Sequence, residues 1–110
     1  RHATLEFELR ESVRTNERRF TALAERLRIA ADEHAPAASR YLDEVLRQYN
    51  AMQVGVFDVL HARRGELEAQ ELALELEREL RLVALDLEEL LAGSLPAEST
   101  LDLSATSERN

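Results

Sequence analysis

The sequence has no cysteine, no lysine and no tryptophan, and only three glycines and two prolines in 110 residues. Without cysteine there is no disulfide framework and no thiolate chemistry, and the redox compartment leaves no trace in the chain. The scarcity of glycine removes another class, because neither a glycine-rich phosphate loop nor a nucleophile elbow occurs. Apolar runs are only a few residues long, well short of the about 18–20 that a membrane-spanning helix needs. No signal-peptide pattern precedes the first helical stretch, and a chain that starts at Arg1 without methionine reads as a segment of a longer protein. Positive charge is also scarce: 14 basic residues, all arginine, stand against 22 acidic ones, for a net charge of -8. An acidic surface repels phosphate backbones and anionic lipid, which argues against nucleic-acid binding and membrane adsorption.

What the chain does contain is helical periodicity. Leu9, Val13, Asn16, Phe20, Leu23, Leu27, Ala30, His34, Ala37 and Tyr41 step by three and four, the spacing that keeps one seam against a partner helix in a coiled coil. Asn16 and His34 are polar members of that seam, of the kind that fixes register at a cost in stability. For His34 the plain expectation is a rim histidine beside Asp32 or Glu33, not a metal ligand. Pro36 falls inside this run, where it removes a backbone donor and crowds the carbonyl four residues back, a cost of about 3 kcal/mol or a kink. Flanking alanines favour helix, so a bend at Pro36 with the seam's phase carried through to Tyr41 is predicted. The alternative is a break at His34 to Ala37 that makes three helices.

A second series is unbroken: Val59, Ala62, Glu66, Ala69, Ala73, Leu76, Leu80, Val83, Leu87 and Leu90. Leu60, Leu67, Leu74, Leu82 and Leu85 lie beside it and widen the apolar face beyond what one partner helix covers. Asp58 is placed to cap this helix, Gly93 to stop it, and Pro96 to prevent its continuation. The predicted fold class is therefore all-α: a long antiparallel coiled-coil helical hairpin within residues 1–93. Its helices run from about Leu5 to about Gln48 and from about Asp58 to about Ala92, joined by a tip turn at 49–57. A flexible, disordered tail is expected over 94–110, where Ser, Thr, Glu and Pro dominate.

Carboxylate pairs such as Glu75 with Glu79 are interleaved with Arg78 and Arg81 and read as a solvated helix face, not as catalytic or metal-binding groups. No catalytic residue, metal site or cofactor is expected. The tip is different. Met52, Val54, Val56 and Phe57 put four apolar side chains at a reversal that an isolated hairpin would keep polar. Either they close the hairpin's own seam or they meet a partner, and Tyr49, Asn50, Met52, Val54, Gly55, Val56 and Phe57 form the candidate partner-binding tip.

The block Tyr49-Asn50-Ala51-Met52-Gln53-Val54-Gly55-Val56-Phe57-Asp58-Val59-Leu60, with Ala62-Arg63-Arg64 and Leu67-x-Ala69-Gln70 after it and the ending Asp86 to Gly93, resembles the outer membrane efflux proteins, the TolC-like channels of Gram-negative tripartite pumps. The resemblance covers roughly Leu5 to Gly93. It implies the second of two periplasmic helical hairpins per subunit, in a homotrimer whose six hairpins form a tunnel topped by a β-barrel that this chain lacks. It implies as partners a periplasmic adaptor protein at the hairpin tips and, through it, an inner membrane pump. Many relatives carry glycine where Met52 stands, and some an arginine where Val54 stands. Asp58 matches an aspartate that in some relatives narrows the tunnel entrance, and His61 stands where a second acidic residue is found; both are expected to line that entrance. Without the resemblance, the same pattern reads as a free-standing coiled-coil interaction or structural hairpin.

Overall fold

A computed structural model of the chain describes residues 2–94. Among these residues there is no strand, and all but 51–55 are helical: α1 (His2–Ile29), a π-helical turn (Ala30–His34), α2 (Ala35–Asn50) and α3 (Val56–Ser94). The first three form one continuous arm, the chain reverses after Asn50, and α3 returns as the second arm of an antiparallel helical hairpin. Both arms are longer than predicted. The first runs from His2 to Asn50, and α3 begins at Val56 and passes through Gly93 to Ser94. Gly93 does not stop the helix, because no glycine takes the positive φ of a helix-ending cap. The tail predicted for 94–110 lies outside the described residues except for the backbone of Ser94. No helix among the described residues is long and apolar enough to cross a membrane.

Among the described residues the contacts divide the chain into two compact units, one of Ala22–Leu80 and one of residues 2–21 with 81–94. In the first unit the core is Leu42 and Val45 of α2 against Ala62 of α3, with Val54 and Val59 packed onto them. Leu23, Ala30 and Leu76 are also buried in this unit. The buried carboxylate of Glu66 accepts hydrogen bonds from the Ser39 hydroxyl at 2.9 Å and from the Arg63 guanidinium. A charged group in a seam is tolerated only when so paired. In the second unit Val83 is buried, with Leu9, Val13, Asn16, Phe20, Leu87 and Leu90 half-buried. The Asn16 side-chain amide donates to the Ser12 carbonyl at 2.9 Å and so stays within its own helix.

All ten positions predicted for the α3 seam are buried or half-buried. The first arm keeps its predicted seam only as far as Ala30. His34, Ala37 and Tyr41 are exposed, Tyr41 at 60 %, whereas Ala38, Leu42 and Val45 face inward. The phase does not carry through the proline. In the π turn the Ala35 N–H reaches the Ala30 carbonyl, five residues back, and the extra residue rotates everything after it by roughly 100° relative to an unbroken α-helix.

Two effects favour the wide turn. Pro36 has no N–H to give the Asp32 carbonyl, and its ring would crowd that oxygen in a regular turn. The rotation also exchanges Ala37 and Tyr41 for Leu42 and Val45 in the seam, and burying such aliphatic side chains contributes about 1.5–3 kcal/mol each. A forfeited helical hydrogen bond costs only about 0.5–1.5 kcal/mol. The widened spacing brings Arg28 to Glu33 at 3.2 Å while it also pairs with Glu25 at 2.8 Å. Five residues apart is a separation that a regular α-helix does not bring together.

Candidate partner-binding tip

α2 ends in a paired set of backbone hydrogen bonds. The Met52 N–H donates to the Tyr49 carbonyl at 2.9 Å, and the Gln53 N–H to the Gln48 carbonyl at 2.8 Å. Met52 has a φ of 61°, the left-handed conformation. These are the marks of a Schellman ending, in which the left-handed position is normally glycine. Met52 therefore performs the turn that a glycine would, at a cost of about 1–2 kcal/mol for its Cβ.

The other side of the reversal is held by a reciprocal cap. The Gly55 N–H donates to Asp58 Oδ2 at 3.1 Å, and the Asp58 N–H to the Gly55 carbonyl at 3.2 Å. Asp58 is thus the third residue of α3 reaching back to the capping residue Gly55, and not the N-cap that the sequence suggested. Helix caps on both sides hold the five-residue turn, 51–55, in one geometry.

On this frame the candidate side chains divide. Met52 is 93 % exposed and Phe57 82 %; Tyr49, Asn50, Gly55 and Val56 are exposed as well. Val54 differs from them: it is half-buried against Leu42, Val45 and Ala62 and closes the hairpin's own seam. Of the proposed entrance-lining pair, Asp58 is exposed with a carboxylate committed to its cap. His61 is exposed in a shallow depression with Phe57, Leu60 and Arg64. Arg64 entered the sequence reading only as part of the block Ala62-Arg63-Arg64 and not as a tip residue, although its spacing from Phe57, Leu60 and His61 marks one helix face.

Chemically the tip offers apolar contact area with a basic flank. Among the described residues no three of His, Asp or Glu stand together as a metal site, and His34, at the end of the π turn, is exposed. A search of protein-family models, curated proteins and solved structures returns no match to this chain.

Proposed function

We infer that the chain is a periplasmic helical hairpin of a trimeric outer membrane channel in a tripartite efflux pump. In this reading it contributes two staves to the tunnel and presents its tip to a periplasmic adaptor protein, acting by shape and contact and not by catalysis. The observation that carries the reading is the tip itself: Met52 and Phe57 stand out from a turn that caps fix on both sides. Large apolar side chains presented together at a capped turn suit a contact anchor. The resemblance of Tyr49 to Leu60 to the channel proteins says which anchor this is.

The half-burial of Val54 refines the test. Met52→Ser with Phe57→Ser, made in the parent channel with Val54 left intact, removes the anchor and spares the seam. The expected result is loss of adaptor binding and of efflux with unchanged helix content. Adaptor binding that survives the double substitution overturns the reading. A free-standing coiled-coil interaction hairpin is the second reading, and the exposed leucines of α3 favour it, since they suit another helix in any setting. Under that reading the parent gene carries no amphipathic β-strand segments upstream of Arg1.

A further inference from the structure

Within Ala22–Leu80, the leucines expected to widen the seam of α3 stand instead in a second, exposed stripe on the side away from it. Leu60, Leu67 and Leu74 recur every seven residues and are 57 %, 44 % and 62 % exposed. Between and after them, at the alternating four- and three-residue steps that keep one helix face, come Arg64, Glu71 and Arg78, all exposed, and Phe57 begins the series. Neither Arg64 nor Glu71 has an ion-pair partner among the described residues.

Read in the two directions, this stripe is its own complement. Laid against itself antiparallel with the axis between Leu67 and Glu68, Arg64 meets Glu71 and the Phe57 ring meets the Arg78 guanidinium, a cation–π pairing, while Leu60 and Leu74 lie within one residue's rise, about 1.5 Å, of level. Laid parallel, Arg64 meets Arg64, Glu71 meets Glu71 and Arg78 meets Arg78, three like-charge contacts. The flank adds His61 against Glu75 and a single like-charge meeting, Glu68 against its own copy beside the axis. The exposed leucines call for a helical partner, and the charge order selects which.

We propose that this face is a self-complementary interface by which two copies of the chain pair through α3, antiparallel and two-fold symmetric about a point between Leu67 and Glu68. Such an isologous contact needs one surface to serve as both halves, and the alternation of Arg64, Glu71 and Arg78 between leucines supplies it. The proposal does not rest on the channel reading, because it concerns the exposed face of α3, which shares only Phe57 with the tip.

The test uses the 110-residue chain in sedimentation equilibrium up to millimolar concentration, with circular dichroism to confirm unchanged helix content. The expected result is a monomer–dimer equilibrium. Arg64→Glu or Glu71→Arg alone turns two attractions into two repulsions and weakens it by about tenfold. The combined Arg64→Glu, Glu71→Arg chain regains the original affinity, and Glu68→Gln tightens it. Because the chain has no native cysteine, Leu67→Cys is expected to cross-link to itself on oxidation. Leu60→Cys is expected to cross-link to Leu74→Cys and not to itself. A chain that stays monomeric throughout, a dimer indifferent to the single charge reversals, a double reversal that restores nothing, or Leu60→Cys joining its own copy each overturns the proposal.

Discussion

The two units of the hairpin are built from the same seam pattern but hold it with different strength. In Ala22–Leu80, Leu23, Ala30, Leu42, Val45, Ala62 and Leu76 are buried, and Glu66 is buried with its hydrogen bonds met. Among the described residues of the other unit only Val83 reaches that state. There a groove lined by Leu9, Val13 and Leu91 with Glu6, Arg10, Arg14 and Glu17 stays open. The ion pairs follow the same order: Arg28 holds Glu25 at 2.8 Å, while Arg14 stands 3.7 Å from Glu11. Periodicity alone does not separate the two units, since Leu9 to Phe20 and Val83 to Leu90 are as regular as the rest. The turn, 51–55, lies within the better-buried unit.

The largest expected effect would break this comparison if it failed. Leu42→Ala removes a buried side chain from the centre of the core and should lower stability by about 2–4 kcal/mol. Leu9→Ala, at a half-buried site, should cost less than half as much. Denaturant midpoints of the two variants check the asymmetry, and hydrogen exchange should show slower opening around 39–66 than around 9–20. Next comes Ser39→Ala, which takes one of two partners from the buried Glu66 carboxylate. A loss of about 1.5 kcal/mol is expected, and Ser39→Ala made together with Glu66→Leu should recover most of it, because no buried charge is then left under-paired.

Met52→Gly acts on the turn and should have the opposite sign. Glycine takes the left-handed φ without the steric cost that Met52 bears, so the unit closed by the turn should gain about 1 kcal/mol. Met52→Ala should gain nothing, since alanine keeps the Cβ. Thermal unfolding distinguishes the two. A glycine that fails to stabilise would mean that the left-handed φ of Met52 carries no steric cost.

How much of this was legible in the sequence differs between the arms. The α3 seam could be read residue by residue, because nothing interrupts its period from Val59 to Leu90. In the first arm Pro36 announced a disturbance but not its kind. A kink preserves phase and a π turn does not, and periodicity carried through the proline chose His34, Ala37 and Tyr41 over Ala38, Leu42 and Val45. The missed signal was a second register: Leu42 and Val45 keep the three-four spacing one residue out of step with Ala30. At the tip, composition located the reversal and its apolar residues. It could not say that Val54 turns inward while Met52 and Phe57 stay out, because the direction of each side chain depends on the left-handed residue at 52. Nor does a Met announce that conformation as a Gly would.

The ion pairs carry the smallest difference between the two units. The Arg28 guanidinium hydrogen-bonds the Glu25 carboxylate and adds Coulombic attraction, which together hold its pKa below the ordinary carboxylate value. A lowered folded-state pKa means that the stabilisation is present above the pKa of the unfolded chain and is lost as the pH falls through the folded value. The side chains are exposed to solvent, so the contribution is small. It should be visible as a Glu25 carboxyl titration, followed by nuclear magnetic resonance, whose midpoint lies at lower pH than in the Arg28→Gln variant. Protonation of Glu25 removes one of the two carboxylates that hold the Arg28 guanidinium beside the π turn. Exchange at the amides of the π turn, Ala30–His34, should then quicken at low pH more than exchange beside Arg14 and Glu11. That difference would tie the firmer hold of Ala22–Leu80 to the widened turn as well as to its buried side chains.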